Sequence, residues 1–204
     1  MHTEIILSFI SASALLTIMP GPDIIYVMLQ SIHNGKKYGI ITALGLVSGI
    51  IIHTSLIAFG VSELINKNKS LFYTIKILGA CYLFYLAYQS YQHPSTLNLN
   101  AKTPKKSLSS MYRQGFFMNV LNPKVTIFFL AFFPGFIDGS QPNAKFQIFI
   151  LGFLFMIQAL IIFILVSLLS DKMTLFLRKN ISFEKRLQYI QIIIFIGIGI
   201  FILL

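Results

Sequence analysis

Six long apolar runs constrain this chain more than any other feature. They cover about residues 5–30, 39–62, 71–91, 113–137, 146–169 and 187–204. Most have the roughly 20 residues that a helix needs to cross the hydrocarbon core of a bilayer. A backbone in lipid has no water to bond to, so it must satisfy its own polar groups, and a helix does so within one segment. The apolar–polar alternation of a barrel strand is absent from these runs. The expected fold class is therefore an all-α membrane protein with six transmembrane helices. Composition agrees: 56% of the 204 residues are hydrophobic and only 11% are charged, more apolar surface than a soluble domain of this length hides.

The first run is read as a retained helix. Met1-His2-Thr3-Glu4 lacks the basic start of a signal peptide, and Pro20-Gly21-Pro22 follows the run where a small-residue cleavage site would stand. A net charge of +10 would point a soluble protein toward nucleic acid. Here the cations sit in short loops, so they report topology, and the partner is the bilayer rather than nucleic acid. Loops 1–2, 3–4 and 5–6 carry 11 Lys and Arg, and the opposite side carries three, Lys67, Lys69 and Lys145. The richer side is expected in the cytoplasm of a bacterial inner membrane, with both termini outside.

The chain reads as one transporter domain over 1–204, in two three-helix halves, 1–92 and 113–204. Between them lies a Pro-, Ser-, Asn- and Lys-rich segment, 93–112, expected as a mobile cytoplasmic linker. Three is odd, so the second half enters from the opposite side. That is an inverted-topology repeat, a recurrent plan in secondary transporters.

Each half opens with a helix that proline breaks. In helix 1, Pro20-Gly21-Pro22 removes backbone donors and crowds the preceding turn, and Asp23 falls in the first turn of the half-helix that follows. In helix 4, Asn122 is placed to cap a new half-helix that Pro123 opens, with Lys124 next. Aligning Pro22 with Pro123 sets Asp23 on Lys124, so the two breaks carry opposite charges. Lys124 lies about 11 residues, or roughly 16 Å, inside its run, too deep to reach the interface easily. Paired interruptions at corresponding positions point to a transporter's binding site. A small zwitterion would need a positive and a negative pole a few ångströms apart, and Lys124 and Asp23 are expected to supply them, pairing with each other when no substrate is bound. Asn119 and Asn122 are expected beside them. A purely structural ion pair is the alternative.

Gly45, Gly49 and His53 recur every four residues and share a helix face. The glycines suit close helix packing. His53 fits either a proton-linked role or a hydrogen-bonded structural one. Tyr88 and Tyr91 read as an interfacial belt, and Tyr82 and Gln158 as packed residues or weaker cavity candidates. Cys81 is the only cysteine, so no intrachain disulfide or cysteine metal cluster can form. There is no phosphate-binding glycine loop and no His-Glu-x-x-His zinc motif, so no cofactor and no metal are expected. Only one aspartate, Asp23, falls inside a membrane run, which argues against a two-aspartate membrane protease.

Pro20-Gly21-Pro22-Asp23, the series Gly35, Gly39, Gly45, Gly49 and His53, Gly79-Ala80-Cys81-Tyr82-Leu83, and Asn119 through Asn122-Pro123-Lys124 to Phe132-Phe133-Pro134 together resemble the LysE/RhtB family of amino-acid exporters. The resemblance spans nearly the whole chain. It implies efflux of amino acids or related small zwitterions by exchange with protons, without catalysis. Gly135 stands where the family often has Gln, and Ala87 where a glycine is frequent, departures that bear on substrate more than fold. An ion or metal exporter and a membrane-embedded enzyme remain as other readings, and oligomeric state, homo-oligomer included, stays open.

Overall fold

The computed structural model describes residues 2–61, 69–92, 107–137, 143–179 and 181–203. These residues are helical almost throughout, with no strand among them. Helices α1 (Thr3–Ile18) and α2 (Pro22–Asn34) meet at a 57° bend and form one broken span. Helix α3 (Lys36–Leu56) continues into a π-helical turn over Ile57–Val61. Helix α4 covers Lys69–Gln92. Helices α5 (Leu108–Val120) and α6 (Pro123–Ile127) form the second broken span, bent by 46°. Beyond α6 the chain widens to a π-helix at Phe128–Phe132 and tightens to a 3-10 turn at Phe133–Phe136. Helix α7 covers Ala144–Lys179 and α8 covers Ile181–Leu203. Four helices are long and apolar enough to cross a membrane alone, and the two bent pairs bring the number of spans to six.

Both breaks fall at the expected residues. Pro20 and Pro22 have no N–H to donate, and Gly21 between them is fully extended at φ −158° and ψ 177°. At the second break the Asn122 side chain accepts a hydrogen bond from the Lys124 backbone N–H at 3.0 Å, capping α6 with Pro123 in its first turn.

Other boundaries move. Helix α5 starts at Leu108, inside the expected linker, because Ser107 caps it and accepts from Ser110 N–H. Residues 93–106 of that linker lie outside the described residues. Helix α7 runs to Lys179, ten residues past the end of its apolar run. Its 36 residues span about 54 Å at 1.5 Å each, well beyond a core of about 30 Å. Hydropathy marks where lipid ends, and Ser170-Asp171-Lys172 carries no residue that stops a helix. The π-helical turns were not anticipated. Pro134 explains the irregularity near the second one, since it lacks the donor that an α-helix would direct at Leu130.

Packing divides α7 into two stripes. Ile148, Leu151, Phe155, Ala159, Phe163 and Val166 are buried, while Phe153, Ile157, Ile161, Leu165 and Leu168 are exposed on the other side. Such an outer face would drive aggregation in water, but it is the natural lipid-facing surface of a membrane helix. Helices α3 and α5 form the closest pair. A Cβ on Gly45 would strike the Tyr112 carbonyl, and one on Gly115 would strike the Thr42 carbonyl. The expected packing role of Gly45 and Gly49 follows from this contact. Helix α3 packs on α7, and α4 on α8.

Candidate functional site

The two breaks lie against each other, and each is held by a residue of the other. Asn122 donates its side-chain N–H to Asp23 Oδ2 at 2.7 Å. Lys124 Nζ donates to the Leu16 carbonyl at 2.7 Å and to that of Met19 at 3.5 Å. These carbonyls belong to the last turn of α1 and its C-cap, where backbone acceptors lack helical partners and the helix dipole favours a cation. Lys124 therefore completes the end of a helix in the opposite half. The expected pairing of Asp23 with Lys124 takes an indirect form: the hydrogen bonds of each charge go to other groups, while the two charges still act on each other electrostatically. Carbonyls at the α1 terminus receive the Lys124 ammonium, and the Asn122 amide takes one oxygen of Asp23.

A small internal void of about 20 Å³ lies behind the breaks, lined in part by Asp23, Asn119, Asn122 and Lys124. Asp23 Oδ1 and Asn119 Oδ1 are buried there, and neither has a hydrogen-bond partner. The void has room for about one water-sized group. On the other side of the breaks a far larger cavity of about 560 Å³ opens. Pro20, Gly21, Pro22, Asn122, Pro123 and Lys124 form one of its walls. Gly21 lies between the two spaces, where a Cβ would make ordinary contact with Lys124 Nζ at 3.7 Å.

All four expected binding residues, Asp23, Asn119, Asn122 and Lys124, and the break residues Pro20, Gly21, Pro22 and Pro123 gather around this partition. Gly49 is one layer out, where a Cβ would lie 2.7 Å from Asn119 Oδ1. His53 is buried. Its Nε2 donates to the Asn119 carbonyl at 3.3 Å, and its ring lies 5.4 Å from that of Phe129. It therefore braces Asn119 and does not line either space. Gln158 donates to Thr17 Oγ1 at 3.1 Å, tying α7 to the end of α1. Tyr82 lines the large cavity, and Tyr85, Tyr88 and Tyr91 are exposed.

Three lining residues escaped the sequence reading: Gln89 and Ser90 on α4, and Gln191 on α8. Their signal was present, since Tyr82, Leu86, Gln89 and Ser90 fall on one face of α4 at helical spacing. It was hidden by the interfacial reading of the neighbouring tyrosines.

The site sits in a chain whose residues 14–204 match the LysE type translocator family. The chain belongs to that family. It is 33% identical to the uncharacterized membrane protein YrhP of Bacillus subtilis (strain 168), over 98% of both chains. It is 31% identical to homoserine/homoserine lactone efflux proteins of Salmonella typhimurium and Salmonella typhi, over 71% of this chain and 70% of theirs. No solved structure matches it. Membership in the LysE type translocators makes this a multi-pass membrane transport protein.

Proposed function

We propose that this LysE type translocator is a secondary transporter that exports amino acids or closely related small zwitterions across the bacterial inner membrane in exchange for protons. The observation that carries the reading is the partition between the two spaces. A zwitterion has an ammonium and a carboxylate on one carbon. Asp23, whose Oδ1 is buried and without a hydrogen-bond partner, lines the small void and takes the ammonium. Lys124, which lines both spaces, faces the carboxylate. The side chain is left in the large cavity. Asp23 takes the ammonium in one state and a proton in the other, so the two cargoes compete for one carboxylate.

The lysine and arginine count supports the orientation. The large cavity is lined by Gln89 and Ser90 near the C-terminal end of α4, and the sequence that follows that helix is rich in lysine. That end is the cytoplasmic one, and the cavity loads from the cytoplasm.

The test is binding and flux in proteoliposomes with α-amino acids and the amines formed by removing their carboxylate. Lys124→Gln is expected to weaken every amino acid by about tenfold or more, the loss of one buried charged partner, and the amines much less. Equal losses for both series would contradict this arrangement, and absence of flux for every amino acid in the wild type would contradict the function itself.

A further inference from the structure

The large cavity has two unlike walls. The wall of breaks carries Lys124. The facing wall is a neutral polar strip: Tyr82, Gln89 and Ser90 on α4, and Gln191 on α8. Tyr82 and Gln89 lie two turns apart on one face of α4, and Gln191 lies one turn before the buried Phe195 on α8. The two helices are fixed to each other. Gly199 lets the Phe84 ring approach to 2.7 Å from where a Cβ would be, and Gln188 donates to the Ser90 carbonyl. Gln89 and Gln191, one from each helix, both line the cavity.

Charge makes the strip selective. Among the described residues lining the cavity, Lys124 is the single charged group, and no carboxylate faces it. A substrate with a cationic side chain would bring a second positive charge beside Lys124, where no described lining residue offers a counter-ion. An uncharged side chain with a hydroxyl, amide or carbonyl would find donors and acceptors at the distance where the zwitterion's head is held by the breaks. We infer that Gln89 and Gln191 are the specificity-determining residues of this transporter, reading uncharged hydrogen-bonding side chains and leaving cationic ones unaccommodated. The inference rests on the amino-acid export proposed above.

The experiment is a competition assay in proteoliposomes with three probes: threonine, its near-isostere valine, and lysine. Ratios within one preparation are read, so losses of folded protein cancel. Wild type is expected to prefer threonine to valine and both to lysine, because a site built to bond a hydroxyl rejects its apolar analogue. Gln191→Leu and Gln89→Leu are expected to lower the threonine-to-valine ratio about tenfold or more. Gln191→Glu supplies the missing counter-charge and is expected to raise lysine relative to threonine. Unchanged ratios in all three variants, or a wild type that carries lysine as well as threonine, would overturn the inference while leaving amino-acid export standing. No transport of any of the three, or of any other amino acid, would instead remove the function on which it rests.

Discussion

Lys124 shows what a charge deep in a membrane requires. Its depth in the sequence rules out easy escape to the interface, and in the structure it reaches the end of α1 instead, where free carbonyls receive it. Asp23 has the complementary arrangement, one oxygen on Asn122 and one unpartnered. Asn122 is the hub, because the same side chain caps α6 through its oxygen and holds Asp23 through its nitrogen. Asn122→Ala removes both bonds. Leaving a buried acceptor unpaired costs about 1–3 kcal/mol, and losing a cap about 1 more. The variant is therefore expected to melt measurably lower in detergent. Combined with Asp23→Asn it is expected to lose less than the sum of the two single changes, since both act on one hydrogen bond. Strict additivity of the two melting shifts would contradict the coupling.

At the scale of elements, the breaks and the glycine face of helix α3 were legible in the residues, for clear physical reasons. Proline's missing donor and the i, i+4 recurrence of Gly45 and Gly49 are local properties. The π-helical turns at Ile57–Val61 and Phe128–Phe132 were not legible, nor was the extension of α7. Those depend on what packs alongside and on where lipid gives way to water. The partner of Lys124 was also out of reach, because Leu16 and Met19 take part only through backbone carbonyls, which any residue could supply. The α3–α5 contact gives a graded prediction. Gly45→Ala and Gly115→Ala push a methyl into facing backbone, which cannot rotate away, and are expected to destabilise by about 1–3 kcal/mol. Gly197→Ala meets nothing within 4 Å and is expected to be neutral or slightly stabilising, since a helical glycine carries an entropic penalty of about 0.5–1 kcal/mol. Thermal unfolding of the three variants side by side would show the ranking, and equal shifts would contradict it.

For the whole molecule, the site is open at one end and packed at the other. Between the breaks and the far end stands a cluster of phenylalanines. Phe9 meets Phe133 edge to face at 5.1 Å, Phe129 stacks on Phe133 at 5.0 Å, and Phe128 and Phe155 close the group. Most of these rings project from the irregular stretch after α6, whose backbone hydrogen bonding is the least regular of that span. Past them a second cavity of about 480 Å³ opens beside Glu4, Ser8 and Phe136. The central claim is that one carboxylate at the breaks exchanges an amino acid for a proton across this asymmetric structure. Its direct test is a flux measurement in proteoliposomes with an acidic lumen and a neutral exterior. Wild type is expected to take up a neutral amino acid such as threonine while the lumen becomes more alkaline. Asp23→Asn is expected to abolish both movements together. Uptake in the variant at the wild-type rate with the same proton movement, or wild-type uptake without any change in lumenal pH, would contradict the account.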